Sequence, residues 1–397
     1  MQALTPARAY IEDANYLKSI ISCNKCGWFG IADDKVKKCP FCGEMELYYQ
    51  RPMLRPWGFA PRDATSIQNA QLAEEYTFVQ QPLYSTLPDS EEICHVNGYK
   101  NMRMASRTNQ RIIMMNDGDS NMGFTVCKDC GAAMPGADAH VLDNVKRPYK
   151  SIIARKQCKH ENTINVNLGY DFVTDMLVLE IELDDKKIDT RKNDNPWLIR
   201  AAQSLAEALR LAASKELDIE FTELVTGYRL RKNPKGSFVD VYLYDSLSSG
   251  AGYAVSVANE IEALLNQVEE LLVSCDCEGA CHKCLNHYRN QHLQGRLDRF
   301  SALELLHWSK GGMVAEAFDL QIQQNKLMPL KGILTASGCK IDIVNESIVA
   351  SKKGKEKKIV IYPAMWVEPH EKETVFVSDA LIKYSKPYAV QKILDEV

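Results

Sequence analysis

No stretch of this chain approaches the roughly 18 consecutive apolar residues of a membrane-crossing helix, so no transmembrane span is expected. The opening residues, Met1-Gln2-Ala3-Leu4-Thr5-Pro6, have neither a basic n-region nor an apolar h-region, and no secretory signal is expected. There is no G-x-x-x-x-G-K-[ST] loop and no DEAD or DEAH box, so hydrolysis of ATP by this chain is not expected. H-E-x-x-H is missing, as is an H-x-E pattern followed by C-x2-C, which removes two common designs for catalytic zinc. An excess of positive charge is also lacking. The net charge of −4 argues against a chain that coats nucleic acid along its whole surface. What remains is ordinary globular composition, 45% hydrophobic and 25% charged over 397 residues, enough for two or three domains.

Cysteine is plentiful, 13 in all, and it is grouped. An extracellular chain of this size would not normally arrange its cysteines as C-x2-C pairs, so a reducing, cytoplasmic setting is expected. Cys23-x2-Cys26 and Cys39-x2-Cys42, with Gly27 and Gly43 after each pair, have the spacing of a zinc ribbon. Each pair forms a knuckle, a tight turn whose backbone N–H groups point at the sulfurs. Cys127-Lys128-Asp129-Cys130 is a third knuckle, with Cys158 and His160 as its expected partners and His140 and His95 as competitors for the fourth place. Cys275, Cys277, Cys281 and Cys284 form C-x-C-x3-C-x2-C, four thiolates close enough in sequence to fold over one ion. The clusters use eleven of the thirteen cysteines, or twelve if Cys94 joins the second. About three zinc ions per chain are expected. All three sites read as scaffolds, because four protein ligands leave zinc no open position for a reacting water.

The pattern along the chain gives α+β or α/β architecture: zinc ribbon(s), a mixed sheet with packed helices, and a helix-linked four-cysteine module. Four spans are expected. Residues 1–90 hold the first ribbon and a linker through Arg55–Pro61, with 1–22 a short helix or tail. Residues 91–163 are β-rich around the second knuckle, with Met102–Met104 and Ile112–Met115 as strands. Residues 164–310 are α/β. Strands are expected at Thr174–Glu182, Phe221–Leu230 and Phe238–Tyr244, and a helix after Asn195-Pro196 carries Leu198, Ala202, Leu205, Leu209 and Ala212 on one stripe. A second helix from Val257 to Leu272 leads to Cys275, and a third spans Ala302–Trp308. Residues 311–397 are a small α/β unit: a hairpin of Lys340–Val349 and Lys358–Pro363, a strand at Val375–Leu381 and a closing helix at Tyr388–Leu394.

The ordered set Tyr244-Asp245, Gly250-Ala251-Gly252-Tyr253, the four cysteines, Leu285, Tyr288-Arg289-Asn290-Gln291, Leu297-Asp298-Arg299, Ala302 and Leu305 resembles the MZB domain, the zinc-binding domain named for MrfA-type DNA helicases. Upstream, Pro56–Pro61, Asn116-Asp117-Gly118, Gly123-Phe124, the Cys127 knuckle, Cys158 and Thr174-Asp175 are similar to what precedes that domain in relatives such as the DrmB subunits of DISARM phage-defence systems. The likeness covers roughly residues 20–310. It implies an accessory role beside a superfamily 2 helicase, with DNA as partner, in anti-phage defence or DNA repair. The motor itself is not implied, since its motifs are missing.

Two basic surfaces are candidates for DNA backbone: Lys146, Arg147, Lys150, Arg155 and Lys156 running into Cys158, and Arg289, Arg296 and Arg299 after the last cluster. The bland alternative pairs Arg289 and Arg299 with the acidic helix Glu260–Glu270. The Asp245–Tyr253 loop has the strand–loop–helix form that binds anions through backbone amides, or else it is only a tight turn. A different class of function, a Mg²⁺-dependent nuclease, would use Asp175, Glu182, Asp240 and Asp245, with Glu180 nearby. A third is a pure protein–protein adaptor.

Overall fold

The computed structural model describes residues 2–4, 15–26, 28–32, 36–40, 42–56, 58–60, 83–84, 93–143, 158–191, 196–233 and 236–397. Its strands are β1 (Gln2–Leu4), β2 (Leu17–Ser22), β3 (Phe29–Ile31), β4 (Tyr48–Leu54), β5 (Gly58–Ala60), β6 (Leu83–Tyr84), β7 (Cys94–His95), β8 (Met102–Asn116), β9 (Phe124–Cys127), β10 (Ala133–Pro135) and β11 (Thr163–Leu183). After helix α1 (Pro196–Glu216) come β12 (Leu224–Asn233), β13 (Gly236–Asp245), α2 (Tyr253–Asn259), α3 (Ile261–Val273) and α4 (Arg299–Gly311). The chain closes with α5 (Leu320–Ala336), β14 (Lys340–Val344), β15 (Ser347–Lys352), β16 (Lys355–Tyr362), β17 (Thr374–Ser378), α6 (Asp379–Tyr384) and α7 (Lys386–Glu396).

The organising element is β11, 21 residues long. Its first residues pair with β9, its middle with β4 and β8, and its last with β13, so one strand joins 11 into a single sheet. The spans expected at 1–90, 91–163 and 164–310 therefore share one sheet. Alternation along β11 assigns its faces. Leu177, Leu179, Ile181 and Leu183 enter the main core under α1, while Met176 and Val178 meet Ile112, Tyr242 and Tyr244 on the other side.

Helix α1 buries the expected stripe and more: Ala201, Ala206, Ala208 and Ala213 are also fully covered. Alanine at so many positions lets the helix backbone sit close to the sheet and to α4. The helix expected before Cys275 is two helices, α2 and α3, broken at Glu260, whose φ of −116° and ψ of 28° are not helical.

Several expectations are corrected. Residues 2–4 and 17–22 are strands, not helix or tail. Tyr48–Leu54, for which no strand was expected, pairs with both β2 and β11. The C-terminal hairpin is a three-stranded meander whose first turn uses Asn345 and Glu346 at positive φ, and β17 joins it in parallel. Its core is its own, with Leu330 and Leu334 of α5 and Ala389 and Ile393 of α7 on Ile348, Ala350, Ile359, Ile361 and Val377. Among the described residues no helix is long and apolar enough to cross a membrane.

Candidate metal centres and their surroundings

In the first centre, Cys23 follows β2 directly and Cys39 opens the second knuckle. The turns close through Cys23 N–H to Trp28 O (2.8 Å) and Gly43 N–H to Cys39 O (3.0 Å). Gly43 has φ 72°, the left-handed conformation this knuckle needs, and Gly27 lies outside the described residues. Lys25 and Glu44 tie the two knuckles together at 3.0 Å. The sulfur pairs Cys23–Cys42 and Cys26–Cys39 are each 3.5 Å apart.

The second centre gathers Cys127 at the end of β9, Cys130, Cys158 and His160. Cys127 and Cys158 sulfurs are 3.6 Å apart, and His160 Nδ1 is 3.4 Å from Cys130 Sγ. His160 reaches this place with φ 56°, and its N–H faces Cys158 Sγ at 3.4 Å. The competitors lie elsewhere: His140 is exposed and paired with Asp143 at 3.0 Å, and Cys94 and His95 are exposed on β7.

In the third centre, Cys275–Cys281 and Cys277–Cys284 stand 3.5 and 3.7 Å apart. The N–H groups of Cys281 and Lys283 point at cluster sulfurs, at 3.3 and 3.4 Å. The N–H of Cys277 and the Cys281 thiol draw the Cys275 thiol down to about 7, and in the second centre Cys130 and His160 outweigh burial to draw Cys127 down to about 5. In the same clusters Cys127 and burial hold Cys130 up and burial pushes Cys284 up to about 12, so without a metal only part of each donor set has the thiolate character that ligation requires.

The separations decide between disulfide and metal. A disulfide needs sulfurs about 2.0 Å apart. A tetrahedron of zinc–sulfur bonds near 2.3 Å has sulfur–sulfur edges of about 3.8 Å. The observed 3.5 to 3.7 Å matches the second, and all ligand atoms in each centre lie within 4.8 Å of one another. The donor sets, two of four cysteines and one of three with a histidine, are those of structural zinc.

The acids proposed for a nuclease do not converge. Arg103, Glu180, Asp240 and Arg229 stand in one row across β8, β11, β13 and β12. Arg103 and Arg231 engage Glu180, and Asp240 binds Arg229 at 3.0 Å and Arg231 at 2.5 Å. Breaking such a buried pair typically costs about 3–5 kcal/mol, so these carboxylates are committed to the fold. Glu182 is exposed, and among the described residues no group of carboxylates has metal-binding geometry.

Asp245 settles the loop that follows it. Its carboxylate accepts from the N–H groups of Ala251 (2.6 Å), Tyr253 (3.2 Å) and Ala254 (2.8 Å). The anion place at the start of α2 is thus filled by the chain's own aspartate. Gly250 is required because its φ of 78° lies in the left-handed region, and a Cβ there would also meet the Asp175 carboxylate.

Of the basic residues, Lys146, Arg147, Lys150, Arg155 and Lys156 lie outside the described residues. Arg289 and Arg296 are exposed, on the 3-10 stretch Tyr288–Arg296. Arg299 is a correction: it is 8% exposed, and its guanidinium donates to Cys277 O and Leu272 O, both at 2.9 Å. It ties α3 to the third centre and has no free head for phosphate. The acidic helix does not take it either, since Glu269 pairs with His307 and Lys310.

The sequence reading missed what braces this centre. Glu207 of α1 lies 2.8 Å from His287 Nε2, which Arg210 also approaches at 2.7 Å, and accepts from Asn290 Nδ2 (3.1 Å). Burial pushes Glu207 up, but these partners and Arg210 outweigh it and hold the carboxyl below its usual range. From the C-terminal unit, Lys383 donates to Glu278 O at 2.6 Å and meets Asp298 at 3.0 Å, while Tyr384 OH bonds Asp298. Asp298 also caps α4 through Phe300 N–H and Ser301 N–H. A cap aspartate was legible from its place before a helix; its partners 85 residues on were not.

The sequence model of the MrfA Zn-binding domain matches residues 205–285. The chain carries an MZB domain. The match runs from α1 through Leu285, earlier in the chain than the motif set from Tyr244 to Leu305, and it contains the third centre. Druantia protein DruE of Escherichia coli (strain UMEA 4076-1) is 32% identical over 394 residues, covering 92% of this chain and 21% of that protein. The chain thus spans about a fifth of the length of this curated relative, whose name is a Druantia name and not the DISARM one suggested by the motifs. Two solved structures of the DUF1998 helicase MrfA are similar over 58% of this chain: bound to DNA, TM-score 0.34 with 14% identity over 24% of that chain, and bound to DNA and AMPPNP, TM-score 0.26 with 10% identity over 23%.

Proposed function

We propose that this chain is a zinc-held, DNA-binding accessory part of a superfamily 2 helicase system, serving phage defence or DNA repair in the bacterial cytoplasm. The ligands are Cys23, Cys26, Cys39 and Cys42; Cys127, Cys130, Cys158 and His160; and Cys275, Cys277, Cys281 and Cys284. Zinc at these places supplies rigidity and no chemistry. The motor is a helicase domain or subunit distinct from residues 1–397, in keeping with a curated relative about five times as long. The four spans 1–90, 91–163, 164–310 and 311–397 are kept as sequence units on this reading.

The observation that carries the proposal is the placement of Arg289 and Arg296. Both are exposed, directly after a zinc loop, on a stretch fixed to α1 through Glu207, His287 and Asn290. A cation mounted on a rigid base can meet a phosphate without ordering itself first. Fluorescence anisotropy with labelled DNA tests this. Binding that weakens steeply with salt and falls about tenfold or more in Arg289→Glu/Arg296→Glu, with zinc retained, supports it. Wild-type protein that binds no DNA at low salt overturns it in favour of a protein adaptor.

A further inference from the structure

A cleft of about 370 Å³ separates the first zinc ribbon from the β12–β13 ribbon of the main sheet. Three exposed cations line it, Lys25 from one wall and Arg191 and Lys232 from the other; Arg231, also in the lining, is buried and held by Glu180 and Asp240. Among the described residues no carboxylate lines it. Asn24 adds a neutral hydrogen-bonding group, while the Thr190 hydroxyl donates to Asp185 at 2.8 Å and Ser237 also bonds that carboxylate; Phe238 adds an aromatic ring with the Arg231 guanidinium 5.0 Å over it.

The carboxylates that balance these cations stand outside the lining. Glu44 holds Lys25 at 3.0 Å, Asp185 holds Lys232 at 3.0 Å and Asp189 holds Arg191 at 2.6 Å. The cations are thereby positioned, while the cleft itself presents N–H groups. Lys25, Arg191 and Lys232 are half or more exposed, and ion pairs so placed are weak and yield to a better anion. A tetrathiolate zinc beside Cys26 would carry net negative charge, but it accounts only for Lys25. Arg191 and Lys232 come from across the cleft.

We propose that this cleft is a phosphate site that takes one nucleotide, either free or as part of a single strand passing between the ribbon and the sheet. The volume suits a nucleotide, the exposed cations Lys25, Arg191 and Lys232 suit its phosphate, and Phe238 with the apolar wall suits its base. The strand form rests on the DNA reading above; the free-nucleotide form does not.

The test uses the full zinc-loaded chain, a fluorescein-labelled oligo-dT, and thymidine monophosphate as the small probe. Arg191→Gln/Lys232→Gln should bind the strand roughly tenfold more weakly, with a salt slope flatter by about 1.4. Lys232→Arg should bind like wild type. In wild type, the strand should protect Lys25 and Lys232 from acylation, a readout that does not depend on the variants folding. Strand binding that is unchanged in the double variant, or that leaves both lysines reactive, overturns the cleft and leaves the DNA reading standing. Thymidine monophosphate bound through Lys232 without any strand binding upholds the cleft and removes the DNA reading. Wild-type protein that binds neither probe removes both.

Discussion

Glu304 lies on α4 against Trp197, whose indole N–H donates to it. Burial first, then the negative charges of Asp379 and Asp298, push its carboxyl up to about 7 against the Trp197 bond. The folded state therefore holds this proton where an unfolded chain, with an ordinary value near 4.3, has released it. Stability from this group is intact below that value, falls as pH rises between the two, and stays reduced above about 7. Glu304→Gln keeps an acceptor for Trp197 and removes the titration. Its melting temperature should exceed wild type at pH 8, by the equivalent of about 1–3 kcal/mol after allowance for partial exposure, and the gap should close by pH 5. Equal differences at both pH values in thermal melts would show that Glu304 does not titrate there.

Among the elements, the third zinc loop makes the sharpest case. Its backbone is held by Cys284 N–H to Cys281 O and by Arg299, and Cys275, Cys284 and Leu285 reach the main core, but the four sulfurs face one another across a place that only a metal fills. Structural zinc in such loops contributes on the order of 10 kcal/mol or more to folding. Cys281→Ser should drop metal analysis from about three zinc to two and abolish cooperative melting of the MZB domain; an unchanged melting temperature would rule out a scaffold role.

These loops were legible in the sequence because metal geometry dictates ligand type and spacing. The strands around them were legible in part. Val239–Tyr244 announces itself with β-branched and aromatic residues. Tyr48–Leu54 does not, since it holds Gln50, Arg51 and Pro52 and is a strand only because β2 and β11 flank it. Helix α5 was missed altogether, because Pro329 interrupts its pattern and removes one hydrogen bond from its middle. Contacts such as Tyr384 to Asp298 have no sequence signal.

At the scale of the whole molecule, the C-terminal unit is both separate and attached. It has its own sheet and core, yet Ala364, Met365 and Ala380 belong to the main core, and Arg200 lies 3.4 Å over the Tyr384 ring. We propose that residues 311–397 brace the third zinc loop from outside. Lys383→Ala/Tyr384→Ala should then lose one zinc to a chelator several-fold faster than wild type, while the other two leave at the same rate; identical release of all three would refute the brace.

The length and central place of β11 bear on how this protein is made. The first ribbon, with β2, β3 and β4, leaves the ribosome more than a hundred residues before Thr163. At about 5–20 residues per second, its zinc loop can close many seconds before the strand that completes its sheet arrives. Through that interval Met53 and Leu54, the two β4 residues that β11 later pairs, wait at an open edge without that partner. Supply of zinc during synthesis, and not only after it, therefore governs whether that edge waits in place or pairs with a neighbouring nascent chain.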